Sequence, residues 1–158
     1  MGNFEPAEAG ALLRNIRKSL RPGDALLLGV DLIKHEGLLH AAYNDSQGVT
    51  AEFNLNILAR INRELGADFD LSQFRHVAEW NPQASRMEIY VESRCEQSVW
   101  ISDIGLQVQF RAGERIHTEN SYKFTREMVN GILAEGGFEA ERLWTDPKSW
   151  FGVYMARV

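Results

Sequence analysis

ALLLGVDLI, residues 25–33, decides the architecture. The run is almost continuously apolar and of strand length, the pattern of a strand covered on both faces, as in the parallel sheet of an α/β domain. A free-standing edge hairpin does not carry that pattern. Upstream, residues 6–21 read as a helix: Pro6 suits the first helical position, and Ala9, Leu12, Leu13, Ile16 and Leu20 share one face. Glu5 and Glu8 stand at its positive end, Arg14, Arg17, Lys18 and Arg21 toward its negative end, and Pro22-Gly23 stops it.

Downstream, residues 34–45 hold a short helical piece, broken at Asp45-Ser46 with Gly48. Val49, Phe53, Ile57, Ile61 and Leu65 then recur at steps of four, a stripe that drifts slowly round one face of a long helix ending near Gly66. From Phe74 the period changes to two. Phe74 to Trp80, Met87 to Val91, Val99 to Ile101, Leu106 to Phe110 and Ile116 to Tyr122 predict an antiparallel meander of five strands, one face packed and one wet. A last helix begins at the N-cap Thr125, buries Met128, Val129, Ile132 and Leu133, and stops at Gly136-Gly137. Two strands, 139–145 and 151–158, close the chain across Asp146-Pro147. This order predicts one α/β sheet, begun by residues 25–33 and finished by the final strands, with an α+β unit inserted between them. An open parallel sheet needs more than one parallel strand, so the neighbours of residues 25–33 are expected outside this sequence, which begins inside a fold.

The 158 residues carry 17 Lys+Arg against 22 Asp+Glu, a net charge of -5. That balance argues against nucleic acid or an anionic membrane surface as partner. Cys95, the single cysteine, has no second thiol for a disulfide or a shared zinc ion. The N-terminus MGNFEPAEAG has neither a basic nor an apolar leader region, and no run approaches the roughly 18 apolar residues of a membrane span. A cytoplasmic protein is expected. Gly2 is not in a myristoylation pattern, because Pro6 occupies the place of its Ser or Thr.

No glycine-rich phosphate loop, HExxH, paired-cysteine motif or GxSxG is present, so no nucleophile or metal site is announced. His35, His40, His76 and His117 are dispersed and read as structural or exposed. The strongest local candidate is IHTENSYKF, residues 116–124. As a strand it puts Glu119 and Ser121 on one face, about 7 Å apart, with His117 beside them, and turns Ile116, Thr118, Asn120 and Tyr122 the other way. A carboxylate and a hydroxyl form an acceptor pair suited to an imidazole or ammonium ligand. Spacing alone favours a solvated strand face. Trp144, Trp150, Phe151 and Tyr154 read as core rather than as a ligand cage.

GNFEPAEA (2–9), GDALLLGVDLIK (23–34), AAYND (41–45), GVTAEFNLNILARINRELGADFD (48–70), HVAEWN (76–81), TENSYKF (118–124) and WTDP (144–147) together resemble the S-adenosyl-L-methionine-dependent, histidine-specific methyltransferases. This is the family that trimethylates the α-amine of L-histidine in ergothioneine biosynthesis. The resemblance spans the chain and corresponds to the C-terminal half of such an enzyme. It implies a Rossmann-like class I methyltransferase domain, here residues 1–33 and 124–158, interrupted by a substrate-binding domain, here 34–123. By the same resemblance Asn3 and Tyr43 hold the amino-acid head group, and Glu119 and Ser121 hold the imidazole. Ile89 stands where the histidine enzyme places a methionine against the substrate, which leaves the identity of the amino acid open. The resemblance puts most of the S-adenosyl-L-methionine site in an N-terminal half that would be this chain's partner, so the cofactor-binding residues stay unassigned. It implies an in-line displacement in which a neutral amine takes the sulfonium methyl, with alignment and water exclusion as the protein's contribution and no catalytic side chain or metal assigned. Two alternatives remain open: a non-catalytic amino-acid-binding or assembly module that lost the cofactor loop, and a methyltransferase for another amino acid.

Overall fold

The computed structural model describes residues 1–158. Its elements run α1 (Pro6–Lys18), β1 (Ala25–Asp31), α2 (Glu36–Tyr43), α3 (Val49–Leu65), β2 (Phe74–Asn81), β3 (Arg86–Ser93), β4 (Gln97–Ile101), β5 (Leu106–Phe110), β6 (Arg115–Tyr122), α4 (Arg126–Glu135), β7 (Glu139–Thr145) and β8 (Phe151–Arg157). No helix is long and apolar enough to cross a membrane. The chain forms two compact units: residues 1–35, 81–87 and 120–158 make the first, residues 36–80 and 88–119 the second.

The first unit is an α/β layer. Its sheet has the order β1-β8-β7 with both pairings antiparallel. Leu13 from α1, Val30 and Leu32 from the β1 segment, Val129 and Leu133 from α4, and Phe138, Tyr154 and Ala156 bury one common core. Local chemistry sets the helix ends. Glu5 and Glu8 form a capping box at the start of α1. The Thr125 hydroxyl accepts from the Met128 amide at 3.2 Å to open α4.

β1 is an edge strand of this sheet, paired antiparallel with β8, and its residues alternate between exposed and packed; the parallel neighbours expected for it are not among residues 1–158. Leu27 is 67% exposed. The parallel contact that the apolar run suggested survives only as an isolated bridge between Leu32 and Phe124.

In the second unit α2 and α3 accompany two sheets, one of order β2-β3-β6 and a separate antiparallel ribbon β4-β5. All five predicted strands form, but β6 lies next to β3 instead of β5, so the predicted simple meander is interrupted by an excursion. Phe69, Phe74 and Phe110 cluster with centroids 5.5 to 6.2 Å apart, beside Leu58, Val91, Val99 and Ile101. The carboxylate of buried Glu92 is gripped by Arg115 at 2.8 Å and by Arg75, which together hold its pKa below the usual carboxylate range.

The predicted stripe of α3 is also corrected. Its buried residues are Asn54 and Leu58, flanked by Leu55 and Ile61, while Val49, Phe53, Ile57 and Leu65 are exposed, Phe53 at 73%. Steps of four advance about 40° beyond a full turn each time, so a five-member stripe sweeps nearly half the helix and cannot be one face. Steps of four then three, as in Asn54, Leu58 and Ile61, stay on it. Gly66, at φ 60°, ends the helix in the left-handed conformation glycine tolerates.

Candidate functional site

β6 carries two of the five candidate residues, Glu119 and Ser121, and its even-numbered side chains make bonds on its other face. In the first unit the Tyr122 hydroxyl donates to Glu5 Oε2 at 2.5 Å and accepts from Arg86 Nη1 at 2.7 Å. Arg86 also pairs with Glu5 Oε1 at 3.0 Å, to which Asn120 Nδ2 donates at 3.2 Å. Burial, with the Glu5 carboxylate second, pushes the Tyr122 phenol upward. The Tyr122 amide donates to the Gly2 carbonyl at 2.7 Å. These bonds fasten the turn that carries exposed Asn3 to the end of β6.

Ser121 is buried in the same unit, and a residue that the sequence left unremarked determines its chemistry. Lys123, 1% exposed, donates from Nζ to Ser121 Oγ at 2.8 Å and pairs with Asp31 Oδ2 at 3.0 Å. Asp31 Oδ1 is held by Lys34 at 2.5 Å. An ammonium has donors and no lone pair, so the Ser121 proton cannot point at Lys123 and is turned away from it. Lys123 thus occupies one of the two lone pairs of Ser121 Oγ, and the hydroxyl keeps its proton and a second lone pair. Positions 119, 121 and 123 share the strand period, and that spacing was the available signal for Lys123.

The other candidates belong to the second unit. Tyr43 ends α2 and is half-buried; its backbone carbonyl accepts from His76 Nε2 at 2.8 Å. Ile89 on β3 is 3% exposed, and its carbonyl accepts from the Thr118 hydroxyl at 3.0 Å. Glu119 on β6 is half-buried. Next to it, the His117 ring meets the Tyr90 ring edge-on at 5.3 Å. An open groove of about 880 Å³ lies elsewhere, at the β4-β5 ribbon between Gln97, Gln109 and Arg111, and none of the five candidates lines it.

The residues present do not fit a nucleotide cradle. β1 passes to α2 through Leu32, Ile33, Lys34 and His35 without a glycine, and the glycines at positive φ sit at turns and helix caps. What the chain does present is an α/β scaffold with the buried Lys123–Ser121 bond at the end of β6.

The chain belongs to the SAM-dependent, histidine-specific methyltransferase family, which matches over residues 1–158. It is 47% identical over 156 residues to histidine N-alpha-methyltransferase of Mycolicibacterium smegmatis, covering 99% of this chain and 49% of that protein. Against histidine N-alpha-methyltransferase of Mycobacterium tuberculosis the identity is 44%, with the same coverage. Ergothioneine biosynthesis protein 1 of Neurospora crassa is 28% identical over 148 residues, 92% of this chain and 16% of that protein. The chain spans about half the length of the histidine methyltransferases it matches.

Proposed function

We propose that this chain forms the amino-acid-recognition part of a SAM-dependent N-methyltransferase acting on the α-amine of L-histidine, in the manner of ergothioneine biosynthesis. One observation carries the assignment of substrate: the chain is 47% identical over 156 residues to a histidine N-alpha-methyltransferase, and it has Glu119 and Ser121 two residues apart on β6. A neutral imidazole offers one N–H and one nitrogen lone pair. In this proposal Glu119 accepts from the ring N–H and the Ser121 hydroxyl, able to donate or accept, meets the ring's other polar edge. Polar groups built to bond the ring reject analogues that lack it, because they would be left unpaired.

In this proposal Asn3 and Tyr43 orient the head group, and Ile89 takes the place of the methionine that lies against the substrate in the histidine enzyme. S-adenosyl-L-methionine supplies an electrophilic methyl group, held by the part of the relatives that lies outside the match; coverage of about half their length supports that division. The test is methyl transfer by the full-length protein that carries this chain, with L-histidine and other L-amino acids in parallel and mass spectrometry counting the methyl groups. Preference for L-histidine supports the assignment. Transfer to another amino acid in preference to histidine would move the substrate elsewhere, and histidine binding without transfer would leave a recognition module.

A further inference from the structure

The second unit contains a part-buried hydrogen-bond chain, centred on buried Asn54, that the expected site does not use. Asn54, 7% exposed in the middle of α3, donates from Nδ2 to the Tyr90 carbonyl at 2.9 Å and meets His76 Nδ1 at 3.0 Å. His76 Nε2 reaches the Tyr43 carbonyl at 2.8 Å. The Thr118 hydroxyl lies 2.8 Å from Asn54 Oδ1 and 3.0 Å from the Ile89 carbonyl.

Protons can be assigned around this chain without ambiguity. A carbonyl only accepts, so His76 carries its hydrogen on Nε2. Nδ1 is then a lone pair and accepts from Asn54, whose second amide hydrogen goes to Tyr90. A flipped carboxamide would set its oxygen against the Tyr90 carbonyl and the imidazole lone pair, two acceptors, and is excluded. Asn54 Oδ1 accepts from Thr118, whose single proton is shared with the Ile89 carbonyl. The side chains of Asn54, His76 and Thr118 therefore tie together the backbones of α2 at Tyr43, of β3 at Ile89 and Tyr90, and of β6 at the residue before Glu119.

We propose that Asn54 and His76 are positioning residues of the amino-acid site: through the Nε2–H tautomer of His76 and the shared Thr118 hydroxyl they fix, in one unit, the three segments that bear Tyr43, Ile89 and Glu119. The inference rests on the assignment of those three to the substrate. None of the positioning groups need touch the ligand. Their effect is on the placement of groups that do, so loosening them raises the concentration of amino acid required while leaving the use of S-adenosyl-L-methionine as it was.

Asn54→Asp replaces the two amide donors with acceptors facing Tyr90 and His76, and Thr118→Val removes the hydroxyl with little change of shape. In the full-length protein, Asn54→Asp should raise the KM for L-histidine about tenfold or more and Thr118→Val about fivefold, with the KM for S-adenosyl-L-methionine within about twofold. Thr118→Ser, which restores the hydroxyl, should return near to wild type. If Asn54→Asp does not fold, the Val and Ser pair carries the test alone. Two-bond proton–nitrogen spectra of the histidine rings should show Nε2–H for His76 in the wild type and a changed state in Asn54→Asp. A merely structural role would lower kcat with the folded fraction and leave the KM for histidine unmoved in Thr118→Val, and that result overturns the proposal. A wild-type protein that shows the tautomer but binds no amino acid would refute the substrate assignment, and the positioning role with it.

Discussion

Replacing Lys123 by Met separates the orientation of Ser121 from the packing around it. The methionine side chain follows the apolar stem of lysine closely in length, so no sizeable cavity opens. Two interactions disappear, the 2.8 Å bond to Ser121 and the 3.0 Å pair with Asp31. Breaking a buried ion pair costs about 3–5 kcal/mol when it strands the remaining charge. Asp31 is not stranded, because it is one-third exposed and keeps Lys34 at 2.5 Å. The cost is therefore nearer that of one charge-assisted hydrogen bond, about 1–3 kcal/mol, or about 2–10 °C in Tm for a chain of this size.

Binding should change for a different reason. Without Lys123 the Ser121 hydroxyl can rotate and spend its proton on other acceptors, which weakens a bond to the substrate ring by about 1 kcal/mol, about fivefold in Kd for L-histidine. Calorimetric titration of L-histidine and of S-adenosyl-L-methionine into the full-length wild type and Lys123→Met measures both. The expected result is a weaker amino acid and an unchanged cofactor. A lower Tm with unchanged histidine affinity would refute the orienting role and leave Lys123 as a core pair.

Glu119→Ala should raise the KM for L-histidine about tenfold or more, because a charge-assisted bond is lost on the substrate side alone; steady-state kinetics in which both substrates suffer equally would remove Glu119 from the pocket. Asp45 accepts from the Val49 and Thr50 amides at 2.9 Å each, and these bonds, Thr50 foremost, lower its pKa from 3.8 to about 2. A depressed carboxylate stabilises the fold above its unfolded pKa and loses that contribution as pH falls through the folded one. The Tm gap between wild type and Asp45→Ala should accordingly be constant above 3.8 and close as pH falls through about 2, and a gap that grows in acid would contradict the assignment. On α3, Leu58→Ala should cost about 2–5 kcal/mol in urea melts and Phe53→Ser no more than about 0.5 kcal/mol; the reverse order would mean that the other face is buried.

The elements that depend on neighbouring residues were legible. Pro6 with the Glu5 and Glu8 capping box, the Thr125 cap, Gly66 and the Asp146 turn act within a few residues, and the corresponding helices and strands form where these signals put them. Pairing and burial were less legible, because they are set by partners far along the chain. The final strands read as members of the sheet begun by residues 25–33, as they are, but that β8 lies directly against β1 and runs antiparallel is nothing ALLLGVDLI specifies. On α3 apolar residues occupy both sides, and only the elements packed against it select Leu58 over Phe53.

The polar residues show the same limit more sharply. Asn54 and Lys123 look like surface residues in a sequence, since burying either without partners is costly. They are buried because the partners exist: Thr118 reaches Asn54 across 64 positions, and Asp31 meets Lys123 from the end of another strand. The two candidates quoted from β6, Glu119 and Ser121, were found by period and resemblance, whereas the groups that hold them in place became visible only when long-range contacts were known. A hydrogen-bonding side chain that is nearly or wholly buried must have its donors and acceptors accounted for. At Lys123 the ammonium fills one lone pair of Ser121 Oγ and the Asp31 carboxylate neutralises its charge, so a buried lysine stands behind Ser121 where the sequence neighbours give no sign of its burial.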